Sequence, residues 1–258
     1  MKFAVTVGKN EDSSLPIWAK KWADSLQVPY VPRPEKGTLK GLLHDNGLDC
    51  LLVATKKGPQ IVTEDDTLFY HPSMAVLRID KLLQGQEDNF VKACNLKPGT
   101  RFLDCTLGFA SDSAIASFVV GDTGKVVGLE ASKPIWFIVK EGLYTYKDKR
   151  EELNRAMRKI EVIHEEAFAY LKTLKDNSFD VVYFDPMFKH PVKDSSNMHP
   201  LRKVSFAKPL TKEIVKEALR VAPLVVVKER TLSVFNSLGI TELTGGKYSK
   251  IKYGILRR

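Results

Sequence analysis

The sequence predicts an α/β fold: a mostly parallel sheet with an antiparallel edge strand, preceded by a small N-terminal α/β unit. Three observations carry this expectation. From about residue 71 short, β-branched runs alternate with longer helix-like segments, the pattern of βαβ units. Asp104, Glu130 and Asp185 close three of those runs, at the strand ends where open α/β sheets collect their ligands. Hydrophobic residues make up 43% of the 258 residues and charged residues 28%, which is ordinary for a globular chain and excludes intrinsic disorder for most of it.

The small unit is expected over residues 1–70. Phe3–Val7 alternates as a strand, and the stretch Met1–Val7 reads as a strand start and not a secretory leader, being short and lacking a small-residue cleavage site. Ser13 or Ser14 is placed to cap a helix with Pro16 in its first turn, carrying Ile17, Trp18, Ala19, Trp22, Ala23 and Leu26. Gln27–Val31 reads as a short strand stopped by Pro32 and Pro34. Thr38–Asn46 reads as a short helix ended by Gly47. Cys50–Thr55 and Gln60–Thr63 flank a hairpin signal at 56–59, with Leu68–Tyr70 as a third short strand.

The second unit is expected over residues 71–258. Leu82–Asn95 reads as one helix, followed by a turn at 96–99. Strands are then expected at 101–105, 125–129, 160–163, 180–184 and 223–228. Helices are expected at 111–119, 133–145, 148–158, 166–175 and 211–221. Gly245–Arg258 alternates weakly and is assigned as an antiparallel edge strand. No apolar run approaches the ~18–20 residues of a membrane span. Cys50, Cys94 and Cys105 form no CxxC pair, which points to buried free thiols in a cytoplasmic protein and away from disulfides or structural zinc. Lys and Arg number 40 against 31 Asp and Glu, a net charge of +9 that suits either a polyanionic partner or a solvated basic surface.

The segment Arg101–Asp112 is an apolar strand ending in Asp104, a loop holding Thr106 and Gly108, and a helix start at which Ser111 or Asp112 is expected as cap and second polar anchor. It is neither a P-loop nor a full GxGxxG. An acid at the strand end opposes a polyphosphate and suits a ligand bearing an amino group. Glu130, closing the next strand, stands where an acid accepts two ribose hydroxyls. One of the acids near residues 164–167, with Glu166 the candidate, is expected to meet an adenine amino group. Asp185-Pro186-Met187-Phe188 follows the fourth strand. Pro186 stiffens the turn, Asp185 offers an acceptor, and Phe188 offers a stacking face, a pairing that suits a planar amine.

Together, Asp104-x-Thr106-x-Gly108, Glu130 and Asp185-Pro186-Met187-Phe188 resemble a class I S-adenosylmethionine-dependent methyltransferase, with its Rossmann-like sheet. More narrowly, they resemble the ribosomal small-subunit methyltransferase J family, which methylates N2 of a guanine in small-subunit rRNA. The late run Val225-Val226-Val227-Lys228-Glu229-Arg230 is similar to that family's V-V-V-K-R strand, and the likeness covers roughly residues 70–240. The chain departs from the family at 78–88, which keeps one glycine and little basic character, and at 190–196. The resemblance implies S-adenosylmethionine as cofactor, bound by Asp104, Thr106, Gly108, Asp112, Glu130 and Glu166, with Asp185, Pro186 and Phe188 as catalytic residues and no metal. It implies rRNA or the small ribosomal subunit as partner.

Lys189, His190, Lys193, Arg202 and Lys203, interleaved with Phe188 and Phe206, form the expected RNA-binding stretch. The basic segment 147–159 is assigned to ordinary solvated helix, and the basic tail after Lys247 either touches phosphate or is a soluble end. A methyltransferase for a protein or small molecule, and a non-catalytic RNA-binding protein with a relict cofactor fold, are the competing readings.

Overall fold

The computed structural model describes residues 1–9, 14–186, 204–205 and 208–258. It divides into two compact units. Described residues of the first are 1–9, 14–71, 132–146 and 204–205; the remaining described residues form the second.

Among its described residues, the first unit is a four-stranded sheet of β1 (Phe3–Val7), β2 (Cys50–Thr55), β3 (Gly58–Val62) and β4 (Thr67–Phe69), in that order. β1 and β2 are parallel and the remaining pairs antiparallel. Helix α1 (Leu15–Leu26) turns Leu15, Ala19, Ala23 and Leu26 inward, the i, i+4 rhythm of one buried face. Helix α2 (Leu39–Asp45) starts at Thr38, whose hydroxyl accepts the Gly41 N–H. Ala4, Leu42, Leu43, Leu51, Val53 and Val62 close a core. The expected strand at 27–31 is reduced to a single parallel bridge between Val5 and Tyr30, because Pro29 and Pro32 remove ladder donors on both sides. Ser14 holds the N-cap position of α1 without a capping hydrogen bond, and Ser13 lies outside the described residues. One helix expected with the larger unit packs here instead. This is α6 (Lys133–Thr145), whose face meets β3 and whose Phe137 sets its ring edge-on to Trp22.

The second unit carries, among its described residues, a seven-stranded sheet of order β10-β11-β9-β8-β5-β6-β7. Its parallel centre is β5 (Arg101–Asp104), β6 (Lys125–Leu129), β7 (Ile160–Ile163), β8 (Val181–Phe184) and β9 (Leu224–Glu229). These strands are nearly continuous Val, Ile, Leu and Phe because a parallel sheet is covered on both faces. The chain lays down β5, β6 and β7 outward in one direction, then places β8 on the other side of β5. The topological switch point therefore lies between β5 and β8. Helix α5 (Ser111–Val120), between β5 and β6, is almost wholly buried, and the Ser117 hydroxyl donates to the Ala156 carbonyl at 2.7 Å in α7 (Glu151–Arg158). Helix α8 (Ala167–Thr173) and the helix Lys212–Val221 pack together.

Several boundaries differ from expectation. The helix expected at 82–95 is not one element: Leu82 and Leu83 close α3 (Met74–Leu83), which was not expected, and after a non-helical 84–88 the Asp88 carboxylate accepts the Phe90 and Val91 N–H groups and starts the short α4 (Asn89–Ala93). Neither Ser111 nor Asp112 caps α5: Ala110 holds that position in a left-handed conformation, φ 58°, and both side chains are used elsewhere. The C-terminal strand β11 (Lys252–Arg257) is antiparallel as expected but is not the edge. The short β10 (Glu242–Thr244) pairs outside it, and neither β10 nor the helix Leu232–Leu238 was expected.

Candidate active site

Three carboxylates arrive at one end of the large sheet because each follows the last residues of a parallel strand. Asp104 ends β5, Glu130 follows β6, and Asp185 follows β8. Asp104 and Asp185 thus stand on the two strands that flank the switch point. Asp104 is 2% exposed. Its Oδ1 accepts the Thr106 N–H at 2.9 Å and its Oδ2 the Ser113 hydroxyl at 2.7 Å. Burial pushes its carboxyl up to about 7, the two hydrogen bonds only partly opposing the shift, and Asp112 and Asp185 push in the same direction.

The loop after β5 is tied to its neighbours on both sides. Leu107 donates to the Leu129 carbonyl at 2.9 Å, and the Gly108 N–H donates to Glu130 Oε2 at 3.2 Å. The Thr106 hydroxyl accepts the Asp185 N–H at 2.6 Å and lies 3.4 Å from Asp104 Oδ1, so one side chain bridges the two acids at the switch point. Gly108 has φ +50°, and a Cβ built there meets only the Thr106 carbonyl oxygen at 3.9 Å. Bare backbone and open space at this point fit a ligand that approaches the chain closely. Three carboxylates around it fit one carrying a sulfonium, an ammonium and ribose hydroxyls, as S-adenosylmethionine does.

Beneath Asp185 lies a chain of charges for which the sequence alone provided no role. Lys228, from β9, places Nζ 2.7 Å from Asp185 Oδ2 and 2.9 Å from Asp112 Oδ2. Asp112 also accepts the Tyr183 hydroxyl at 2.7 Å, and its Oδ1 accepts Arg78 Nη1 at 2.5 Å. Arg78 grips Asp88 through two further bonds, at 2.7 and 2.8 Å. Burial opposes ionisation of Asp112, but Lys228 and Arg78 outweigh it and hold the carboxyl well below its usual range. Burial likewise opposes the charge on Lys228, and the two aspartates outweigh it, so the ammonium is held firmly protonated. Asp185 is pushed upward by burial and by Asp112 and drawn down by Lys228, with the upward shift prevailing. Its side chain keeps 28% of its surface exposed, against 16% for Lys228 and 8% for Asp112.

The sequence-predicted residues therefore separate. Asp104, Thr106, Gly108, Glu130 and Asp185 meet at the strand ends, with Pro186 half-buried after Asp185. Asp112, expected to anchor a cofactor, accepts Arg78 on Oδ1 and Tyr183 and Lys228 on Oδ2. Glu166 caps α8, its Oε2 accepting the Ala169 N–H at 3.1 Å. His164 Nε2 lies 3.2 Å from the Ala131 carbonyl oxygen. Phe188, Lys189, His190, Lys193, Arg202 and Lys203 lie outside the described residues. Reasoning from strand-end acids overlooked Lys228, Tyr183 and Arg78. The available signal was a lysine inside the apolar run 224–229, since a charge in a central strand requires a buried partner. All three cysteines are free and buried, and among the described residues no helix is long and apolar enough to cross a membrane.

Comparison with known proteins agrees with this geometry. The family model described as "Putative SAM-dependent methyltransferase" matches residues 51–235. The chain is 38% identical over 241 residues to the uncharacterized protein YpiP of Bacillus subtilis, covering 93% of each. It is 26% identical over 165 residues to ribosomal RNA small subunit methyltransferase J of Acinetobacter baylyi, covering 58% of this chain and 60% of that one. It is 32% identical over 158 residues to the protein of the same name from Coxiella burnetii, covering 58% of each. The chain thus spans under two thirds of the length of those two relatives. Among solved structures, a SAM-dependent methyltransferase from Neisseria gonorrhoeae superposes with a TM-score of 0.65 at 15% identity, covering 98% of this chain and 95% of that one, a likeness of fold. With its switch point between two strand-end acids and a family match over most of its length, the chain belongs to the SAM-dependent methyltransferases.

Proposed function

We propose that this methyltransferase acts on an exocyclic amino group of a guanine in small-subunit rRNA. One observation carries the reading: the Asp185 carboxylate, at the switch point and followed by Pro186, is held by the largely shielded ammonium of Lys228 while remaining the most exposed member of its charge chain. Relatives named ribosomal RNA small subunit methyltransferase J support the choice of substrate.

S-adenosylmethionine supplies an electrophilic methyl group on a sulfonium whose departure as a neutral sulfide needs no acid. The task left to the protein is alignment. In this reading Glu130 accepts ribose hydroxyls, Gly108 gives the close backbone approach, and Asp104 faces the cationic end. Asp185 Oδ accepts one N–H of the target amine and the Pro186 carbonyl the other, turning the nitrogen lone pair toward the methyl. Lys228 keeps Asp185 an acceptor and fixes its orientation. As the nitrogen gains a carbon it sheds a proton, and the Asp185 carboxylate is the base in contact with it. Phe188, by resemblance, stacks on the base.

Mass spectrometry of rRNA from wild-type cells and cells lacking the gene tests the substrate. Loss of one N2-methylguanine from small-subunit rRNA is expected, restored by the wild-type gene and not by Asp185→Ala. An unchanged rRNA methylation pattern would overturn the assignment. The purified Asp185→Ala protein is expected to bind S-adenosylmethionine with nearly wild-type affinity in calorimetry, because the loss falls on substrate alignment. A collapse of that affinity would move Asp185 into the cofactor pocket.

A further inference from the structure

The net charge of +9 is not evenly distributed: residues 208–258 contain eleven Lys and Arg against four Glu, a surplus of seven. Part of that surplus is spoken for. Arg220 is paired with Glu217 and Asp176, and Lys228 belongs to the charge chain under Asp185. The turn joining β10 to β11, Gly245 to Ile251, is different. Its Lys247 and Lys250 are exposed, and Tyr248 between them is 91% exposed, the highest value among the exposed large hydrophobic side chains. The Lys247 ammonium stands 5.6 Å from the Tyr248 ring centroid.

The turn is built to hold this display. Gly245 has φ +139°, and a Cβ there would come within 3.1 Å of the Ile251 carbonyl oxygen, so only glycine enters the turn without strain. The Ser249 N–H donates to the Gly246 carbonyl at 3.0 Å, the Ile251 N–H to the Ser249 hydroxyl at 3.1 Å, and Lys252 Nζ to the Gly246 carbonyl at 3.0 Å. A pinned turn carrying a phenol ring out into water loses little conformational entropy when that ring finds a face to stack on.

Its position gives it meaning. Lys252, first residue of β11, pairs with Glu229, last residue of β9, and β9 runs parallel to β8. The turn therefore leaves the sheet at the end that carries Asp104 and Asp185, with β11 two strand spacings, about 10 Å, from β8. We propose that the 245–251 turn is a single-stranded RNA contact, in which Tyr248 stacks on a nucleobase flanking the target and Lys247 and Lys250 meet the adjoining phosphates. An aromatic face framed by cations is the chemistry that holds single strands without reading their sequence. The proposal deepens the reading above and rests on its RNA substrate.

Fluorescence anisotropy of the full chain with a labelled single-stranded RNA oligonucleotide tests it. Tyr248→Ala should weaken binding by roughly 5- to 100-fold, the span of a lost base–aromatic stack, and Tyr248→Phe should retain it. Lys247→Gln and Lys250→Gln should each flatten the slope of log affinity against log salt by about 0.7. Steady-state methylation by Tyr248→Ala should show a raised KM with kcat preserved, at an unchanged thermal midpoint. If the wild-type chain binds RNA and Tyr248→Ala binds it equally well, the turn is not the contact and the RNA reading stands. If the wild-type chain binds no RNA, the RNA reading itself fails and takes the turn with it. Equal Tyr248-dependent binding to anionic phospholipid vesicles would also overturn it.

Discussion

Replacing Asp104 with Asn should make the ligand-free protein more stable at neutral pH. Asp104 ionises at about 7 in the folded chain, against 3.8 for the ordinary side chain. The direction follows from proton counting. Between those two values the unfolded chain has released the proton and the folded chain still holds it, so raising the pH favours unfolding. The contribution of Asp104 is fully present below about pH 4, declines to about pH 7, and is flat above. At about 1.4 kcal/mol per pH unit the interval corresponds to about 4 kcal/mol, an upper bound because relaxation around a buried carboxylate softens such shifts. Asn cannot ionise. Its carbonyl can accept from the Thr106 N–H, and the Ser113 hydroxyl can rotate to accept from its amide, so both contacts survive in altered form. Urea denaturation of both proteins at pH 5, 6, 7 and 8 is the assay. The variant should already be ahead by about 1 kcal/mol at pH 5, and the gap should widen to about 3 kcal/mol at pH 8 as the wild type loses stability. Asp185, also shifted upward, remains in both proteins and enters the difference only through its repulsion of Asp104. Parallel curves would refute the placement of a protonated Asp104 in the core.

Two further outcomes follow from the same geometry. Lys228→Met removes the cation between Asp112 and Asp185, two carboxylates within 3 Å of it, and should cost about 3–5 kcal/mol in urea denaturation while moving the acid limb of the pH–rate profile upward; Lys228→Arg should retain most of both, and an unmoved profile in the Met variant would mean that Lys228 serves stability alone. Glu130→Ala removes the acceptor that ties the Gly108 amide to the end of β6 and should weaken S-adenosylmethionine by roughly 10- to 100-fold in calorimetry; unchanged affinity would show that Glu130 is a loop anchor only.

The contrast between Asp104 and Asp112 shows how much was legible beforehand. Asp104, Glu130 and Asp185 could be read because a strand pattern locates its own end, and an acid at that end is a local feature. Strand positions 125–129 and 160–163 matched for the same reason: β-branched runs bounded by helices admit little freedom of register. Asp112 sits only eight residues after Asp104, in the first turn of a helix, and local rules offered it capping or ligand binding. Its actual partners are 34, 71 and 116 residues away in sequence, on α3, β8 and β9. No spacing rule spans those distances. The same limit applies to α6, expected at its observed bounds, whose amphipathic pattern announces a helix but not which sheet it covers.

The charge chain also bears on why so expensive a device is present. Arg78 and Lys228 supply two positive charges, and Asp88, Asp112 and Asp185 three negative ones, most of them well shielded from water. Apolar residues of similar volume would give equal or greater stability, so stability does not explain the arrangement. Its geometry offers another reason. Each link satisfies its neighbour and the unbalanced charge emerges at Asp185, the member with the most exposure, beside Asp104, which can itself remain neutral until a cation arrives. In the proposed reading, this arrangement offers one fixed negative charge and one inducible one to a positively charged cofactor and an amine. On that reading, binding the cofactor should expel a proton from Asp104 near neutral pH. The carboxyl that weakens the empty fold as pH rises is the one a bound cation would stabilise.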